Sequence, residues 1–203
     1  MWLFGTNFYK STSSDKNFIL SKLQAGVDVH YLLFDPFSPN LNQVAKDFDQ
    51  NPRELQRECL YNLEALLDLH DKWNNGSGLP VKPGESQVRF YDTTPRMRGY
   101  FLNPNEENGR SFLVPYINRV NSPDLPGFQF KNTTKGVSAS YFAGVKRLWQ
   151  VSTPLDKFLE LHRRDIESFD NVSNPEGGAG KKAAESVEPG ATDGALKKAK
   201  TAK

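Results

Sequence analysis

Three residues in the stretch TTPRMRGYFLN (93–103) have types and spacing that could do chemistry: Arg96, Arg98 and, five positions on, Asn103. A guanidinium stays protonated, with a pKa above about 12, so neither arginine can serve as nucleophile or base. An amide is no base either. What arginines do well is hold phosphate or carboxylate in a planar fork of donors. By residue type, then, the two arginines suit an anion and supply no nucleophile. The plainer alternative is a turn after Thr94-Pro95 whose arginines face solvent or a nearby carboxylate such as Asp92.

Further candidates sit where strands are expected to end. Asp35, in DPFSPN, follows the strand-like run VDVHYLLF, and Thr6 and Asn7 fall at the end of the first strand, WLFGTNFY. Ligands in α/β folds gather beyond the carboxyl ends of strands, so Asp35 and Asn7 join the list. The equal alternative for Asp35 is an Asp–Pro turn that starts the next helix. Arg110, next to Gly109, is a further cation, and Arg119 follows.

Much other chemistry lacks its residues. His30 falls in a strand and His162 on a charged helix, neither with a metal-ligand partner at useful spacing. His70-Asp-Lys72 closes an amphipathic helix, where a histidine is favoured by the helix dipole. Cys59, the single cysteine, lies on an apolar helix face and reads as a small buried thiol. There is no phosphate-binding Gly-x-x-x-x-Gly-Lys loop, no dinucleotide Gly-x-Gly-x-x-Gly and no hydrolase Gly-x-Ser-x-Gly elbow. No metal or cofactor is expected.

The scaffold under these residues begins with strand–helix–Gly–strand. WLFGTNFY is a strand; a helix capped by Ser14 or Asp15 carries Phe18, Ile19 and Leu23 inward; Gly26 closes it. With the next strand this makes a right-handed parallel βαβ unit. Asn51-Pro-Arg-Glu54 starts a helix to about Trp73, with Leu55, Cys59, Leu63, Leu66 and His70 on one stripe and Leu67 beside it. QVRFY, YFLN and SFLVPY read as three neighbouring strands. Residues 138–149 form a helix with Tyr141, Val145, Leu148 and Trp149 on one face. Thr153-Pro154 begins another. The fold class is α/β: a mixed, largely parallel sheet flanked by helices.

The order of these parts resembles the phospholipase D superfamily over roughly residues 1–155, and within it the motif-degenerate bacterial domains. LSKLQAGVDVHYLLFDPFSPN is similar to its helix–Gly-Val-x-Val–strand unit. VRFYDTTPRMRGYFLN and ENGRSFLVPY lie where it has His-x-Lys-x-x-x-x-Asp and a following Gly-Ser. YFAGVKRLW and Thr-Pro-Leu resemble its closing helix. The resemblance implies a phosphodiesterase site in which Arg96 replaces the nucleophilic His, Arg98 the phosphate-holding Lys and Asn103 the supporting Asp, with Arg110 beside them. Phosphate binding survives such replacements; phosphohistidine chemistry does not. Active members build one site from two halves, so a half-unit implies a homodimer. The expected role is a phosphate-binding, sensor or interaction module, with a small phosphate ligand, nucleic acid or a separate protein as partner. The alternative is a divergent phosphodiesterase or nuclease that uses Asp35 with Arg98.

Composition sets the frame. The 203 residues carry 37% hydrophobic side chains, enough for one core. Residues 1–172 hold equal numbers of basic and acidic groups, and the net +2 lies in 173–203. That balance argues against a dedicated duplex-DNA binder. Residues 156–172 are expected as a helix on the domain, and 173–203, without aromatics, as a disordered tail. No run of about 18 apolar residues or signal-like leader occurs, so a cytoplasmic protein is expected.

Overall fold

The computed structural model describes residues 1–6, 16–75, 84–120, 125–131 and 135–173, with the backbone alone for 70–72, 74–75 and 170–173. The expected Asp15 or Ser14 cap, Asn7 and the tail from residue 174 lie outside them. The chain divides into a unit of Met1–Arg163 and a second from Arg164.

β1 (Trp2–Gly5), α1 (Lys16–Gln24) and β2 (Val29–Phe34) form the βαβ unit read from the sequence, with β1 and β2 parallel; Ile19 and Leu23 are buried as expected, but Phe18, one residue off their stripe, is exposed. Gly26 closes α1 at φ 79°, a backbone region that favours glycine, and the Val27 N–H returns to the Lys22 carbonyl at 3.0 Å. α2 (Leu41–Asp47) and α3 (Pro52–Asn75) lead to β3 (Ser86–Tyr91), parallel to β2. Asn51 caps α3 by accepting the Arg53 N–H at 2.9 Å. The buried stripe of α3 runs through Leu55, Cys59, Leu63, Leu66, Leu69 and Trp73; Leu67 is only half-buried, and the His70 side chain, expected on the stripe, lies outside the described residues.

Beyond β3 the sheet departs from expectation. β4 (Met97–Leu102), β5 (Arg110–Pro115) and β6 (Phe128–Lys131) are antiparallel to their neighbours, and β4 pairs with β1 rather than β3. The order is β6-β5-β4-β1-β2-β3-β7. The sheet is thus mixed but mostly antiparallel, not largely parallel, and β3 is no neighbour of β4. Residues 103–109 are too few for the crossover that parallel strands need, so β4 and β5 form a hairpin. Thr153-Pro154 do not start a helix: they form β7, a two-residue strand against Arg89 and Phe90, and α5 (Leu155–Ser173) follows.

α4 (Val137–Val151) crosses one face of the sheet. Phe142 meets Trp2 and Phe101, Trp149 meets Trp2 and His30, and Ser138 shares a 2.8 Å hydrogen bond with Ser111. Phe142, not Tyr141, is the buried residue of that turn; Tyr141 is exposed. Phe4 stacks on Phe101 at 5.6 Å, joining the two halves of the sheet.

Candidate functional site

β1 is the strand at which the sheet order reverses. The chain leaves it towards β2 on one side and returns to its other side as β4. Open α/β sheets take ligands beyond the carboxyl ends of their parallel strands, which here are β1, β2 and β3. Four residues meet at the carboxyl end of β1: Gly5, Thr6, Arg98 and Tyr116. Arg98 rises from β4 beside Gly5, and a Cβ on Gly5 would stand 2.9 Å from the Arg98 Cβ. The absence of a side chain at position 5 is what lets the arginine stem lie against β1.

Tyr116, just past β5, reaches the same point. Its phenol oxygen accepts the Thr6 hydroxyl at 3.1 Å and the Thr6 N–H at 3.4 Å. Its backbone N–H donates to the Arg96 carbonyl, and its ring packs against Phe48 at 4.8 Å. Burial raises the Tyr116 pKa, while the Thr6 bonds and the Arg98 charge pull the other way. The phenol is a neutral donor and acceptor at ordinary pH.

Beside this group, the buried Cys59 thiol points at the Thr6 carbonyl at 3.6 Å. Burial first, then Glu58 and Asp35, push its pKa up to about 12. Such a thiol is not a nucleophile. The Tyr91 phenol is raised well above its ordinary value by burial, with Tyr116 and Cys59 adding to the rise.

Asp35 directly follows β2. One carboxylate oxygen accepts the Phe37 N–H at 2.7 Å, and the other lies 3.8 Å from Nε2 of His162. Burial lifts its pKa; the Phe37 bond and His162 oppose that, and Asp92 adds to it. The loop is fixed to β3 by Ser38 and Asn40, both donating to the Asp92 carbonyl. His162, on the first part of α5, stacks on Phe37 at 4.5 Å, while Phe158 stacks on Phe90 at 3.7 Å. His162 had no partner at useful spacing in the sequence; in the fold it has Asp35. The one signal for it was its place four residues after Phe158, on the same helix face.

The six residues singled out from the sequence do not form one site. Arg98 and Asp35 lie at the carboxyl ends of β1 and β2. Arg96 is close by in the chain but exposed. Asn103 and Arg110 lie at the other end of β4, about 17 Å away at roughly 3.3 Å per residue. Register fixes this: Arg98 opposes Val114, whereas Leu102 opposes Arg110. Asn103 has φ 46° and donates to Glu106 at 3.2 Å, as a turn residue does. Asn7 lies outside the described residues. What sequence reasoning missed is Tyr116, which reads as the end of SFLVPY, and the pairing of Thr6 with it.

The far end has its own groove of about 510 Å³ between the 104–107 turn and α4, with Glu106 and Glu107 on one wall and Lys146 and Arg147 on the other. Among the described residues, no cluster of three or more His, Cys, Asp or Glu could hold a metal ion, and no helix is long and apolar enough to cross a membrane. No family model, curated protein or solved structure matches the chain.

Proposed function

We propose that this chain is a non-catalytic, phospholipase D-like domain that binds a phosphate-bearing ligand at the carboxyl end of β1. The observation that carries the reading is Arg98 held against Gly5 and beside Tyr116 at the strand where the sheet order reverses. Arg98 supplies charge in a fork; the Tyr116 phenol, which accepts from Thr6, keeps its own proton to donate. The nearby groups supply no nucleophile, because burial keeps the Cys59 thiol and the Tyr91 and Tyr116 phenols protonated. Position 96 is arginine where the resembled motif has its nucleophilic histidine. The charge balance of residues 1–172 favours a small phosphate ligand or a nucleic-acid end over a duplex.

The test is thermal unfolding in inorganic phosphate and in nucleotides, for wild type, Arg98→Ala and Arg110→Ala. A ligand that binds only the folded state raises the melting temperature. Wild type and Arg110→Ala should be stabilised alike, and Arg98→Ala not at all. Equal stabilisation of all three, or of none, would remove the reading.

The Asp35–His162 pair favours one second reading, a divergent phosphodiesterase. An imidazole 3.8 Å from a carboxylate could serve as a base once substrate draws the two together. That reading requires phosphodiester turnover that falls with both His162→Ala and Asp35→Asn.

A further inference from the structure

The sheet has two edges of different kinds. β7, at one edge, has two residues, one of them proline. Very short strands and prolines discourage pairing with other chains; β6 is twice as long as β7 and has no proline. β6, at the other edge, reads Phe-Gln-Phe-Lys, and among the described residues it pairs with β5 alone. Phe128 is 49% exposed although it sits in a strand. Phe128 and Phe130 share a face, with rings 6.4 Å apart, and Gln129 and Lys131 take the other. Val137 is 50% exposed at the start of α4, which packs beside β6, so the apolar surface continues past the strand.

We propose that β6 pairs antiparallel with β6 of a second copy, about a two-fold axis through Gln129. Directly opposed residues of an antiparallel pair point to the same face. That rule leaves few registers for so short a strand. With the axis at Gln129, Phe128 opposes Phe130 of the second copy twice over, Gln129 opposes itself, and Lys131 opposes Gly127. With the axis at Phe130, one aromatic pair remains and Gln129 opposes Lys131. The first register makes two aromatic cross-strand pairs and brings no like charges together. A Phe-Gln-Phe triplet is its own complement about that axis, which is why the occupant is a second copy. Charge does not oppose the association, because residues 1–172 are neutral overall. One continuous sheet then runs through both copies.

The β6 pairing is independent of the anion site, and association reads it alone, so either can fail without the other. Sedimentation of the full chain should give a dimer. Gln129→Cys should cross-link with itself under mild oxidation, while Ser140→Cys, exposed on α4, should not; the buried Cys59 does not compete. Phe128→Glu should weaken dimerisation by about tenfold or more with unchanged circular dichroism. A monomer at high concentration overturns the proposal. So does a dimer in which Gln129→Cys fails to cross-link, or one that Phe128→Glu leaves intact.

Discussion

Strand β4 ends in two different environments. At its amino-terminal end Arg98 lies against Gly5, near the Tyr116 phenol that holds buried Thr6. At its carboxyl-terminal end Asn103 is exposed, turns the chain at φ 46° and bonds to Glu106, while Arg110 opposes Lys131 at the open start of β5. Both ends carry residues that suit phosphate. The difference teaches that residue type sets what a side chain can do, and its neighbours decide whether it does so. The hairpin explains its own asparagine; the Arg98 end has a glycine gap, two hydroxyls and a strand reversal that no turn requires.

Substitutions at the two ends should therefore differ in size. Gly5→Val has the largest expected effect, because its Cβ would press on the Arg98 stem at 2.9 Å. Overpacking of this kind costs about 1–3 kcal/mol, read from urea midpoints. Thr6→Val keeps the shape and removes the hydroxyl that Tyr116 accepts, leaving a buried phenol short of a partner. A loss of about 1–2 kcal/mol is expected by the same measurement.

Asp35→Asn is a test by pH. The folded pKa of Asp35 lies above the unfolded value, so the folded state takes up the proton more readily. Wild-type stability from this group is therefore greatest below the unfolded value, near 3.9, and is lost as pH rises through the folded value. The amide introduced by the substitution does not ionise, so the melting temperature of Asp35→Asn relative to wild type should climb across that window. A falling difference would show that the His162 contact outweighs burial. Asn103→Gly has the smallest expected effect, within about 0.5 kcal/mol of wild type, since glycine accepts φ 46° without strain. A large loss there would erase the contrast between the two ends.

Local chemistry made part of this fold legible. Gly26 ends α1, Asn51 caps α3, and the apolar run of β2 demands cover on both faces, so the βαβ start follows from the chain itself. The partner of β4 does not follow. YFLN suits either free edge, and only the assembled sheet puts it beside β1. The face of α4 was ambiguous for a different reason. Apolar residues at 141, 142, 145, 148 and 149 make two overlapping stripes one residue apart, and contact with Trp2 and Phe101 selects Phe142. At the site, Arg98 was visible by type and Asp35 by its place at a strand end. Tyr116 and His162 were not, because their partners, Thr6 and Asp35, lie more than a hundred residues away in sequence.

Phosphate binding beside Arg98 can be read directly from a phosphate titration followed by amide resonances in a two-dimensional NMR spectrum. Binding at the carboxyl end of β1 should shift Gly5, Thr6, Gly99 and Tyr116 saturably, and leave Asn103, Glu106 and Arg110 in place. Shifts confined to the 103–110 turn, or none at all, would contradict the account.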